Sequence, residues 1–124
     1  MHILLHILLV FLGGSLGAAA RYGLGQWINA RTLGSFPWGT FVVNISGCLA
    51  IGVVSARAAQ LGGPAFLLID VGFVGAYTTF SSLSFETLRL ISNEGWARGL
   101  LNPLASLVVG VAAVWAGVRL GVWA

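Results

Sequence analysis

The sequence predicts an all-α integral membrane protein of four transmembrane helices, the third broken near the membrane centre. Three observations carry this. Of the 124 residues, 58% are hydrophobic and only 7% are charged, whereas a soluble domain carries about 25% charged residues. Mean hydropathy is +0.97. The few charges divide the chain into runs near the length of about 20 apolar residues that crosses a bilayer. Such a chain cannot cover a water-facing surface, which excludes a secreted disulfide module, a disordered tail and nearly every soluble enzyme. The net charge of +3 comes from six Arg and three acids. These form no basic patch, so nucleic acid is not an expected partner. Cys48 is alone and reads as a small hydrophobe in an apolar run.

The chain reads as one membrane domain over residues 1–124, with helices near 3–29, 37–57, 64–91 and 98–121. Short connections rich in Gly, Pro, Asn and Arg join them. The first run, Ile3 to Ala20, ends at Arg21. Ala18-Ala19-Ala20 resembles a cleavage site, but Met1-His2 lacks a basic n-region and the run is too long, so it reads as a retained span. Gly13 and Gly17, like Gly14 and Ala18, have the spacing that lets helices approach closely. Arg21 lies one turn beyond Gly17. It either snorkels to the interface or faces an aqueous vestibule and attracts anions.

The second helix carries Asn44 and Cys48 on one face, with Ser46 and Gly47 beside them. A polar group in hydrocarbon is costly without a partner. Asn44 therefore bonds a neighbouring helix or presents its NH2 group to a pore. The third run is the most informative, because Gly72, Gly75, Thr78, Thr79, Ser81, Ser82 and Ser84 occupy its middle. These residues support helical continuity poorly, which predicts a broken helix with freed carbonyls able to hold a cation. The other reading is an intact helix with its hydroxyls bonded back to carbonyls. The fourth helix aligns Asn102, Ser106, Gly110, Ala113 and Gly117 on one stripe. That stripe fits a close-packing seam or a narrow path with Asn102 and Ser106 as donors.

Charge placement bears on topology. With the N-terminus in the cytoplasm, Arg57 and Arg119 are inside, and Arg21, Arg31, Arg89 and Arg98 are outside. Without Arg21 the count is two against three, so the positive-inside rule selects neither orientation. A chain so balanced can insert both ways and pair as an antiparallel, dual-topology homodimer, the two-chain form of an inverted repeat.

Three segments resemble the CrcB/Fluc fluoride channel family. Gly13-Gly14-Ser15-Leu16-Gly17-Ala18-Ala19-Ala20-Arg21-Tyr22 is similar to its opening GGxxGAxxRY. Gly39-Thr40-Phe41-Val42-Val43-Asn44-Ile45-Ser46-Gly47 resembles GTxxVNxxG, and Gly72-Phe73-Val74-Gly75-Ala76-Tyr77-Thr78-Thr79-Phe80-Ser81-Ser82 resembles GFxGGxTTFST. The resemblance covers all four helices in order. It implies a passive fluoride exporter in the inner (plasma) membrane, two pores per antiparallel dimer, and a structural sodium ion at the dimer centre. By position it implies the carbonyls of Gly75 and Thr78 as the sodium site. It implies Asn44, Phe80 and Ser106 in the fluoride pathway, with Thr79, Ser82 and Asn102 beside them and Arg21 at the vestibule. Leu83 stands where the family usually has a second Phe, although Phe85 is close in sequence. Ala76 replaces a common Gly, Gly110 lies where some relatives have a hydroxyl, and Asp70 is unexpected in the third span.

These residue types suit a small, strongly hydrated anion. A conducting pore must replace its water yet release it. Neutral amide and hydroxyl donors satisfy both needs, and the positive edge of a Phe ring adds to them. The main rival is a proton-coupled small multidrug-type exporter, which calls for a membrane carboxylate, typically in the first helix. That helix has none, and Asp70 and Glu86 are poorly placed substitutes. A non-transporting assembly subunit would leave the polar third segment unexplained. No nucleophile–base or metal constellation suggests an enzyme, and His2 and His6 read as interfacial.

Overall fold

The computed structural model describes residues 1–124. Four helical segments are long and apolar enough to cross a membrane: His2–Asn29, Trp38–Ala56, Gly63–Glu94 and Trp96–Trp123. Helix is the only open-chain conformation that satisfies every backbone group within hydrocarbon. In chain order, α1 is His2–Asn29, α2 is Trp38–Ala56 and α3 is the short Ala58–Leu61. The third span begins with α4 (Gly63–Phe66), passes through a π-helical stretch (Leu67–Val74) and closes its first half with α5 (Gly75–Tyr77). Its second half is α6 (Phe80–Glu94), and α7 (Trp96–Trp123) is the last span.

Glycine seams set the packing. Gly13 and Gly17 are the buried residues of α1. A Cβ on either would collide with the backbone of the third span at Leu68 or Phe73. The π-helical stretch lies against this seam. Sequence reading did not anticipate its wider turn. Gly52 of α2 meets Val114 and Gly117 of α7 in the same manner, and Gly121 meets Val53 and Ala56. The glycine part of the α7 stripe is therefore a close-packing seam.

The ends are tied by polar groups. The Asn29 Oδ1 accepts the Gly39 N–H at 3.0 Å, capping the start of α2. The Arg57 Nε donates to the Gly121 carbonyl at 3.1 Å near the end of α7. Gly95 alone separates α6 from α7 and has a φ of 92°, a value costly for any residue with a Cβ. A helical turn, α3, forms within the expected connection after α2.

The third span breaks where its composition indicates. Thr78 and Thr79 are both extended, with ψ of 155° at Thr78 and φ, ψ of −147°, 121° at Thr79. Helix resumes because Thr79 is an N-cap: its Oγ1 accepts the Ser82 N–H at 3.2 Å.

Candidate functional site

The break is pinned to one face of α2. The Asn44 Nδ2 donates to the Thr79 carbonyl at 2.9 Å, and the Asn44 Oδ1 accepts the Thr79 N–H at 2.8 Å. The amide thus holds Thr79 as a neighbouring strand would, with one N–H left over. Gly47, one turn further on, permits this approach, because a Cβ there would occupy the place of the Thr78 methyl group.

The clamp and the Thr79 N-cap divert two helical hydrogen bonds. In an unbroken helix the Thr79 N–H would bond the Gly75 carbonyl, and the Ser82 N–H the Thr78 carbonyl. Asn44 takes the first donor and the Thr79 hydroxyl takes the second. The Gly75 and Thr78 carbonyls accept no backbone bond. Two electronegative oxygens are thereby freed at membrane depth by identified side chains, a donor set of the kind that suits a hard cation.

Two cavities meet at this break. One, of about 340 Å³, is polar and is lined by Arg21, Gln26, Asn29, Thr40, Thr79, Ser82 and Glu86, among others. The other, of about 430 Å³, is mostly apolar and includes Asn44, Cys48, Thr78, Thr79, Phe80, Leu83 and Ser106. Thr79 belongs to both. Phe80 is 80% exposed, as befits a ring on the open side of the second cavity. Leu83, in the place of a second Phe, gives that cavity an aliphatic wall.

The structure brings Arg21, Thr79 and Ser82 into the polar cavity, and Asn44, Thr79, Phe80 and Ser106 into the apolar one. Asn102 is apart from both. It is 1% exposed, and its Nδ2 donates to the Thr87 Oγ1 at 3.1 Å, tying α7 to α6. The Thr87 hydroxyl in turn donates to the Leu83 carbonyl at 2.7 Å. The Ser106 Oγ and Asn102 Oδ1 are buried without a partner, but only Ser106 lines a cavity, where its hydroxyl retains a proton for a small guest.

Sequence reasoning undervalued Glu86 and Thr40. The Thr40 Oγ1 donates to the Glu86 Oε1 at 3.0 Å, and both line the polar cavity with Arg21. The signal was the spacing of Thr79, Ser82 and Glu86, which is one helical face. Asp70, in the π-helical stretch, lies outside both cavities and has one buried carboxylate oxygen without a partner.

Residues 8–118 match the family described as CrcB-like protein, Camphor Resistance (CrcB). The chain belongs to the CrcB family. A relative from Acidobacterium capsulatum named fluoride-specific ion channel FluC is 44% identical over 115 residues, covering 90% of this chain and 92% of its own. The relative of that name from Solibacter usitatus is 46% identical over 116 residues, covering 91% and 95%. The one from Thermus thermophilus is 43% identical over 116 residues, covering 92% and 91%. The CrcB match contains the glycine seam of α1, the Asn44 clamp, the break and Ser106. With four spans, this CrcB protein is a multi-pass membrane protein of the plasma membrane.

Proposed function

We propose that the chain is a fluoride-selective passive channel that lets cytoplasmic fluoride leave the cell. The observation that carries this reading is the meeting of a polar and an apolar cavity at Thr79, with Asn44, Phe80 and Ser106 along the second. The FluC names of the relatives support the choice of anion. Arg21 concentrates anions at the polar mouth. Hydroxyls of Ser81 and Ser82 line the polar cavity and Thr79 stands at the junction, so together they replace water one bond at a time. Beyond it, the spare Asn44 N–H, the Ser106 hydroxyl and the Phe80 ring edge supply weak, neutral contacts. Weak contacts allow the ion to leave.

The working form is an antiparallel homodimer with two pathways. Support comes from the near-balance of Arg between the two ends, two against three with Arg21 set aside, and from the open side of the second cavity, where the exposed Phe80 awaits a cover. A structural sodium ion fits the freed carbonyls of Gly75 and Thr78, joined by those of the second copy. When bound, it supplies fixed positive charge near the anion route.

A proton-coupled small multidrug-type exporter is the second reading, favoured by the carboxylate of Glu86 in the polar cavity. Efflux from liposomes containing the purified protein, followed with a fluoride electrode at symmetric pH, separates the two. Rapid fluoride release without chloride release supports the channel. Release that requires a proton gradient, or uptake of a lipophilic cation, supports the exporter.

A further inference from the structure

We propose that Tyr77 is a positioning residue for the carbonyls of the break, and that Ser46 holds it there; this rests on the sodium reading above. Tyr77 precedes the first extended residue and stands between Gly75 and Thr78. Its side chain is 9% exposed. The ring stacks on Phe73 at 5.7 Å between centroids and 15° between planes. Its hydroxyl lies 2.8 Å from the Ser46 Oγ. The Ser46 hydroxyl donates its one proton to the Val43 carbonyl at 3.0 Å, so the Tyr77 O–H is the donor between them. The result is a relay from Tyr77 through Ser46 to the backbone of α2, whose bonds strengthen one another in a low-dielectric setting.

This relay adds a point that the clamp on Thr79 lacks. Asn44 holds the far side of the break and Gly47 gives Thr78 its space. On the near side the Thr78 N–H and Oγ1 bond back to the Val74 carbonyl at 3.1 and 3.2 Å, and Tyr77, the last residue of α5, adds the side-chain hydrogen bond across to α2. The Gly75 carbonyl lies two residues before Tyr77 and the Thr78 carbonyl one residue after it, so a shift of the Tyr77 backbone is passed to both through the neighbouring peptide units. With the hydroxyl bond broken, the ring can slide on Phe73 and the last helical turn can rotate. The carbonyls would then remain free but change direction.

The experiment is a sodium titration of thermal stability for the purified dimer, with N-methylglucamine replacing sodium at constant ionic strength. Tyr77→Phe and Ser46→Ala should each raise the sodium concentration giving half of the stabilisation by about three- to tenfold, the range of one membrane-buried hydrogen bond. The double variant should shift no further than either single one, and Ser46→Thr, which keeps the hydroxyl, should restore the wild-type value. Fluoride efflux should show the same displacement along the sodium axis. A merely structural tie would lower the melting temperature equally at every sodium concentration, and that result overturns the proposal. If Tyr77→Phe does not fold, Ser46→Ala decides alone, since it leaves the ring in place. A sodium-dependent wild type with unshifted variants contradicts the role of Tyr77 only. A wild type indifferent to sodium contradicts the sodium reading and the inference together.

Discussion

Replacing Asn44 by Ala should close the break. The substitution removes two hydrogen bonds, from the Asn44 Nδ2 to the Thr79 carbonyl and from the Thr79 N–H to the Asn44 Oδ1. Each contributes about 1 kcal/mol net, giving about 2 kcal/mol. Two backbone groups also lose partners in a setting poor in water, at about 1–3 kcal/mol each if left bare. The chain has a way to recover half of that. The Thr79 N–H can return to the Gly75 carbonyl, extending α5 by helix geometry. The balance comes to about 2–4 kcal/mol against the broken conformation, and even the lower figure is roughly a 30-fold change in its population. The assay is fluoride efflux from liposomes, paired with amide hydrogen exchange at Thr79. Efflux should fall by an order of magnitude or more while the four spans persist. Asn44→Asp should fail as well, because it keeps an acceptor for the Thr79 N–H but loses the donor and adds a negative charge to the anion route. Wild-type efflux from a well-folded Asn44→Ala protein would refute the reasoning.

Other perturbations test the same frame. Gly47→Ala places a methyl group where Thr78 sits; overpacking of about 1–3 kcal/mol should abolish efflux and lower the melting temperature. Arg21→Gln should slow efflux several-fold in dilute salt and little near 1 M, where the screening length shrinks to about 3 Å; an effect independent of salt would place Arg21 in a structural role. Gly95→Ala, at a φ of 92°, should cost about 1–2 kcal/mol with the anion preference unchanged, as read by denaturation and by the fluoride-to-chloride ratio.

How much of this was legible in the sequence depends on the range of the interaction. The four spans follow from hydropathy, a local property. The break is legible for the same reason, because Gly75, Thr78 and Thr79 disfavour helix where they stand. Asn44 could be singled out as a polar group needing a partner, but its choice of both polar atoms of Thr79 spans 35 residues and leaves no local mark. The π-helical stretch Leu67–Val74 is apolar apart from Asp70. It lies against the Gly13–Gly17 seam, and nothing in its own composition indicates a wider turn. Glu86 was discounted as a stray carboxylate in a span, since only the folded chain sets it beside Thr40 and across a cavity from Arg21. Asn102 and Ser106 share a helical face, yet only Ser106 lines a cavity, because α6 lays Thr87 against Asn102 first.

The most direct test of the central claim is the reversal potential of the purified protein in a planar bilayer. With fluoride at unequal concentrations across the membrane, and chloride and pH equal, the account predicts a current reversing at the fluoride equilibrium potential. That potential is about 59 mV for each tenfold gradient of a monovalent ion. It should stay there when a pH gradient is added. A reversal potential that follows pH or chloride, or the absence of current from a folded dimer, would contradict it.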